Sequence, residues 1–355
     1  MRRCNKGWWF DYRPGGVSIP VPDTTVIIGS GAGRSGAPHT CHIVKEVWVM
    51  TEIGTNGDVE RLQPTRLERL KPYLIILPAL LLTIGILVPF GTGVFWSFTN
   101  YNLMRPDFQF VGFRNYVRMF SSEEFWNAIR VSSTYVLFAV GAELILGLII
   151  GLLLNRDNLV TKIFRPLLIL PLLIAPVIAV LMWRLMMSTQ FGVLNYFLSL
   201  IDPALRQFPW AGVARYAMFT VVLIDVWIFT PFIALLVLAG LRSLPKAPFE
   251  AAQVDGASKW YTFRKQTLPM LTPYITIALI FRLIDSFRMF DIPFALTKGG
   301  PGNALMTLQV TAYTQSFTYL NIGRGAAYMF LTWIIVYIVS KFLVNHWMKW
   351  RAKLS

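Results

Sequence analysis

Seven charged side chains stand inside otherwise apolar stretches of this 355-residue chain: Glu143, Arg184, Asp225, Arg282, Asp285, Arg288 and Asp291. A charge in an apolar setting is costly unless it finds a partner or faces water. Four of them follow a three-residue step, Arg282, Asp285, Arg288 and Asp291, which places successive members on one helical face, where opposite charges can pair. Two uses fit. Either they are internal ion pairs that hold helices together, or Asp285 and Arg288 line a wet passage for a polar solute. Other chemistry finds little support. Gly31, Gly33 and Gly36 satisfy G-x-G-x-x-G, but Ala37-Pro38-His39 follows where a phosphate-binding helix should open, and no complete βαβ unit fits. His39, Cys41 and His42 are ligand types in a Gly- and Pro-rich arm, without the spacing of a structural metal site. His346 stands alone, no Ser/His/Asp grouping lies in the apolar runs, and no enzyme is expected. Cys4 and Cys41 cannot build a disulfide framework.

The elements that must position these charges are membrane helices. Residues are 55% hydrophobic and only 14% charged, against about 25% charged in soluble domains. Six apolar runs, Pro72–Phe98, Arg130–Leu154, Pro166–Met187, Tyr216–Leu241, Leu271–Phe290 and Ala326–Val344, each approach the ~20 residues that span hydrocarbon as a helix. The fold expected is an all-α integral membrane protein with six transmembrane helices. Pro78, Pro171, Pro176 and Pro231 fall inside the runs and predict kinks. Gly147 and Gly151 mark a surface where another helix can approach closely.

The net charge of +15 belongs to the segments between runs, which favours a bilayer over nucleic acid as partner. Arg61, Arg66, Arg69 and Lys71, then Arg156, Lys162 and Arg165, then Arg242, Lys246, Lys259, Arg264 and Lys265, and finally Lys349, Arg351 and Lys353 fall on one side. The other side has fewer: Arg105, Arg114, Arg118, Arg206, Lys298 and Arg324. Both termini are therefore expected in the cytoplasm. Residues 1–57 form a polar arm that is no signal peptide, and Met50 is a candidate true start. A leader covers 58–71, the membrane domain 72–345 and a tail 346–355, with Trp347 and Trp350 as interfacial anchors.

One loop on the basic side, Arg242–Met270, predicts a specific shape. Pro248 suits the first turn of a short helix through Glu250, Ala251 and Ala252. Gly256 permits a turn, a second short helix runs from Ala257 toward Gln266, and Pro269 is expected to break it. The result is a knob on the cytoplasmic face, with Ala251 and Ala252 small enough for another protein's backbone to come close.

Glu250, Ala251, Ala252, Asp255, Gly256 and Ala257, followed by Phe263, Leu268 and Pro269, resemble the EAA coupling loop of binding-protein-dependent ABC importer permeases. Gln266 departs from that pattern, where the family often has isoleucine. Val111–Tyr116 with Phe125–Ala128, and Phe281–Asp291 with Leu296–Gly302, are similar to the maltose-type carbohydrate subfamily. The resemblance covers roughly 70–350. It implies two separate ATP-binding subunits that hydrolyse ATP with Mg, since this chain has no phosphate loop. It also implies a second, homologous permease, an external substrate-binding protein, and alternating access in a bacterial inner membrane. In that setting Asp285 and Arg288 line a sugar pathway, with Phe287, Phe290 and Trp227 offering aromatic faces. No cofactor or metal is expected on this chain. The competing reading is a secondary transporter or channel for a small polar solute, which leaves the EAA loop without a use.

Overall fold

The computed structural model describes residues 66–105 and 107–351. The expectations about the arm, its glycine and His/Cys motifs and Met50 lie outside the described residues, as do most of the leader and the last tail residues. The chain divides into the units Met1–Arg69 and Leu70–Ser355, and all packing below belongs to the second.

The described residues are helical, apart from loops and the isolated bridges Thr99–Phe110 and Asn102–Arg105. Five helices are long and apolar enough to cross a membrane. They are α1 (Arg66–Ser97), α3 (Glu123–Leu154), α7 (Ala214–Ser243), the run through α10 (Leu268–Phe287), and α13 (Ile322–Arg351). The third expected span is two helices, α4 (Leu159–Leu173) and α5 (Pro176–Met186), bent by 100° and together able to form a sixth crossing. Pro176 explains the break. A residue before proline is pushed to extended backbone, and both Ile174 (ψ 131°) and Ala175 (ψ 133°) are extended. Pro231 behaves differently, since α7 runs through it without interruption.

Short helices join these spans: α2 (Arg114–Phe120), α6 (Val193–Ile201), α8 (Ala247–Val254), α9 (Lys259–Thr262), α11 (Asp291–Thr297) and α12 (Leu308–Tyr313). Helix α2 is tied to the end of α1. Asn115 donates to the Ser97 and Thr99 carbonyls at 2.8 Å each, and Tyr116 shares a 2.6 Å hydrogen bond with the Ser97 hydroxyl. The two Asn115 bonds take up carbonyls left open at and just beyond the helix C-terminus, and burial pushes the Tyr116 phenol above its ordinary pKa.

The main core joins α3, α5, α7 and α11, with Tyr135, Ala139, Val180, Val221, Ile224 and Ile292 among its buried members. Gly147 and Gly151 let α3 approach α7 closely beside this core. A Cβ at Gly147 would lie 2.6 Å from Ile233 Cγ2, and one at Gly151 would lie 2.7 Å from Val237 Cγ1 and 3.0 Å from the Ala234 carbonyl oxygen. The expected close approach on α3 is therefore made by α7. Gly240 repeats the device between α7 and α10, where a Cβ would meet the Tyr274 ring at 2.7 Å.

Candidate functional site

Gly147 follows Glu143 by one helical turn, so both occupy one face of α3. The close contact that Gly147 allows brings the Glu143 carboxylate up to α7, beside Asp225. Arg282 of α10 completes the group. Its Nε donates to Glu143 Oε2 at 2.6 Å and its Nη2 to Glu143 Oε1 at 2.8 Å, a two-pronged pairing. Nη2 also donates to Asp225 Oδ2 at 3.0 Å, and Nη1 to Asp285 Oδ2 at 2.7 Å. The guanidinium carbon lies 4.0 Å from the centre of the Phe229 ring, close enough for a cation–π contact. Glu143, Asp225 and Arg282 are sealed from solvent, whereas the Asp285 side chain is 56% exposed. The Tyr135 hydroxyl is buried beside Asp225, facing the same group.

This geometry separates the expected pairs. Arg282 and Asp285 do pair along α10. Asp285/Arg288 and Arg288/Asp291 form no ion pair among the described residues. The reason is local: α10 ends at Phe287, Arg288 is its cap with ψ 2°, and Asp291 opens α11. The three-residue rule needs an unbroken helix. The joining of Arg282 to Glu143 and Asp225 across three spans was not read from the sequence. The available signal was three charges of mixed sign in three different apolar runs, each needing a partner. Arg184 instead donates to the Ala295 carbonyl at 3.3 Å.

The aromatic candidates take packing positions. Phe290 stacks on Phe294 at 4.7 Å and approaches Tyr313 at 4.9 Å. Phe287 packs against the main core. Trp227 meets Trp183 edge-to-face at 5.7 Å. Asp285 and Arg288 remain exposed.

The knob is a second, separate feature. Helix α8 carries exposed Glu250 in its first turn and ends in a paired C-terminal motif. Gly256 N donates to the Gln253 carbonyl (3.2 Å), and Ala257 N donates to that of Ala252 (2.9 Å). Gly256 has φ +70°, with open space where a Cβ would stand, so backbone conformation alone requires glycine here. Asp255 is the cap residue, and Ser258 caps α9 by accepting from Tyr261 N at 3.2 Å. Ala251 is exposed but Ala252 is 5% exposed and turned into its own chain. Only one of the two alanines therefore faces outward. Val254 (88% exposed) and Trp260 (69%) project beside it, and Phe263 leans on Trp260 at 5.6 Å.

The expected break at Pro269 does not occur. Helix α9 passes through a π turn, Phe263–Thr267, into α10, with Leu268 N donating to the Phe263 carbonyl. Proline clashes with the carbonyl four residues back, and the wider π turn relieves that crowding. Leu268 and Pro269 thus join knob to span as one helical run, Lys259–Phe287.

Known proteins resemble this chain in sequence and in fold. Residues 143–353 match the family described as binding-protein-dependent transport system inner membrane component. A probable ABC transporter permease, y4oQ of Sinorhizobium fredii, is 39% identical over 274 residues, covering 77% of this chain and 85% of the relative. The trehalose/maltose transport system permease MalF of Thermococcus litoralis is 37% identical over 268 residues, 74% of this chain and 89% of the relative. A crystal structure of a bacterial ABC transporter that imports the acidic polysaccharide alginate contains a chain of the same fold. Its TM-score is 0.69 at 22% identity, over 80% of this chain and 98% of that one. The segment matched to the family holds all four charges of the buried cluster and the whole knob, and on this evidence the chain belongs to the inner membrane components of binding-protein-dependent ABC transport systems, as a multi-pass permease.

Proposed function

We infer that this chain forms half of the membrane pathway of an ATP-driven carbohydrate importer, beside a second, homologous permease. Two separate ATP-binding subunits supply the energy with ATP and Mg, and an external binding protein delivers the substrate. The charge distribution of the loops favours both termini, and with them the knob, in the cytoplasm. Relatives named as trehalose/maltose, trehalose and sulfoquinovosyl glycerol permeases support a carbohydrate substrate.

The observation that carries this reading is the knob itself. The segment 250–260 presents Ala251, Val254 and Trp260 outward on a capped turn between α7 and α10. A small residue beside two exposed apolar ones suits a groove on another protein. Motion delivered there acts on α7 directly and on α10 through the unbroken run from Lys259. Those two helices, with α3, are the ones Arg282 clamps together. ATP then needs only to favour one arrangement of the bundle over the other. A secondary transporter would leave the knob without a partner.

The exposed Asp285 and Arg288 are the polar groups we assign to the passage. A carboxylate and a guanidinium can both hydrogen-bond sugar hydroxyls. Phe287 and Phe290, on either side of Arg288 in the chain, contribute as packed wall beside them, whereas Trp227 lines a groove between α3, α4 and α7.

The test uses the assembled transporter. Glu250→Lys and Gly256→Asp should lower co-purification of the ATPase subunits and abolish uptake, while the permease pair still assembles. Normal ATPase retention together with normal uptake in both variants would overturn the reading.

A further inference from the structure

Helix α4 is held in the molecule mainly by its first turns. Of its 15 residues only Thr161 is buried. Farther along, Phe164, Leu167 and Pro171 line a groove of about 500 Å³, with Val226 and Thr230 of α7 among its other walls. Apolar contact is therefore incomplete where α4 runs beside the core. The first turns are built differently. Asn158 accepts from Thr161 N at 2.8 Å, and its own N–H donates to Thr161 Oγ1 at 3.3 Å, a reciprocal cap. Thr161 Oγ1 donates to the Arg156 carbonyl at 2.6 Å. Arg165 Nη2 donates to the Leu154 carbonyl at 2.7 Å and to that of Arg156 at 3.2 Å. A cation there takes up carbonyls left open at the end of α3 and suits the negative end of that helix. The turn from Leu154 to Thr161 is thus fixed on both sides of Asp157.

Asp157 is the one carboxylate in that turn. Its Oδ1 accepts from Arg165 Nη2 at 3.3 Å and from Arg242 Nη2 at 3.1 Å. Arg242 belongs to the last turn of α7, just ahead of the knob. The next residue, Ser243, shares a 2.6 Å hydrogen bond with the Tyr274 hydroxyl of α10. The foot of the knob is therefore tied to α10 on one side and, through Asp157, to α3 and α4 on the other.

We propose that Asp157 is a positioning residue for energy coupling: acting through Arg242 and Arg165, it carries displacement of the knob to α4 and so to the bent α4–α5 pair. This rests on the reading of the knob as the dock of an ATP-binding subunit, and it extends the moving parts from α7 and α10 to a third element. Exposed ion pairs add little stability, and the Asp157 side chain is 77% exposed. Its contribution is geometric, because one oxygen holds two guanidinium groups from different helices. Without that carboxylate two like charges face each other, and the end of α7 is pushed from the turn as well as released.

Electron spin resonance distances in the complete transporter, held in lipid nanodiscs, test it. Spin labels replace Leu173 at the end of α4 and Leu137 on α3, both exposed, after Cys4 and Cys41 are replaced. Mg-ATP with vanadate should shift the distance between the labels in wild type. Arg242→Gln should lose at least half of that shift while the ATP-binding subunits still co-purify. Arg242→Lys keeps the cation and should keep most of the shift. Asp157→Asn should lose the shift and lower the unfolding midpoint as well. Adding Arg242→Gln to Asp157→Asn removes the facing charges, so the midpoint should recover while the shift stays lost. A residue with only a structural role would recover both together, and that result would overturn the proposal. So would shifts in Arg242→Gln and Asp157→Asn equal to that of wild type, or labels that do not move in a wild type that retains its ATP-binding subunits. A wild type that retains no ATP-binding subunit would overturn the importer reading, and the proposal with it.

Discussion

Arg282 meets three carboxylates, and its surroundings predict unequal consequences for its partners. Removing the guanidinium strands Glu143 and Asp225 in a sealed interior. Breaking such a pair from one side costs about 3–5 kcal/mol. Arg282→Met should therefore lower the thermal unfolding midpoint of the purified transporter sharply and reduce assembled protein. Arg282→Lys should fall short of wild type as well, because one ammonium cannot reproduce the Nε/Nη2 pairing with Glu143. Asp285 is different. Its side chain is 56% exposed, and Arg282 keeps both buried partners without it. Asp285→Asn should change stability by less than about 1 kcal/mol yet impair uptake. A loss of stability as large as that of Arg282→Met would mean that Asp285 is structural and would remove it from the passage. The residue types for this cluster were legible as charges in apolar runs. Their connectivity was not, because periodicity reports neighbours along one helix and says nothing of which face another helix covers.

At the scale of elements, close packing of α3 on α7 is what lets the buried charges meet. A Cβ at Gly151 would lie 3.0 Å from a backbone oxygen, Ala234 O, as well as 2.7 Å from Val237. Backbone cannot rotate away as a side chain does, so the helices must separate. Gly151→Ala should cost about 1–3 kcal/mol as overpacking, and Gly151→Leu more, read as lower unfolding midpoints. An unchanged midpoint for both would show that the interface is looser than the distances require. The G-x-x-x-G step foretold a close approach, though not by which helix. Five of the six expected apolar runs appear as continuous helices, because length and apolarity alone decide whether a helix can span. Three of the exceptions to local reading were set by proline in context. Pro176 separates α4 from α5, Pro231 is absorbed within α7, and Pro269 is accommodated by a π turn. The proline rule is the same at each position; the neighbouring packing decides the outcome.

For the whole molecule, the bend between α4 and α5 bears on every later loop. If the pair crosses the membrane as one broken span, Gln190, beyond α5, lies on the side opposite Asp157. Helix α7 then returns the chain to the basic side, and the knob of α8 and α9 faces the cytoplasm. If the pair instead turned back within the membrane, each later loop would change sides, and Arg242–Met270 would face outward. The excess of Lys and Arg in that loop argues for the first arrangement. Single cysteines at Ser121, Gln190 and Ser258, introduced after replacing Cys4 and Cys41, separate the two. All three native positions are exposed: Ser121 in the turn after α2, Gln190 after α5, and Ser258 at the start of α9. A membrane-impermeant thiol reagent applied to intact cells with the outer barrier opened should label positions 121 and 190, and position 258 only after the inner membrane is permeabilised. Labelling of 258 but not 190 in intact cells would make α4–α5 a re-entrant pair. It would also place the knob where no ATP-binding subunit could reach it.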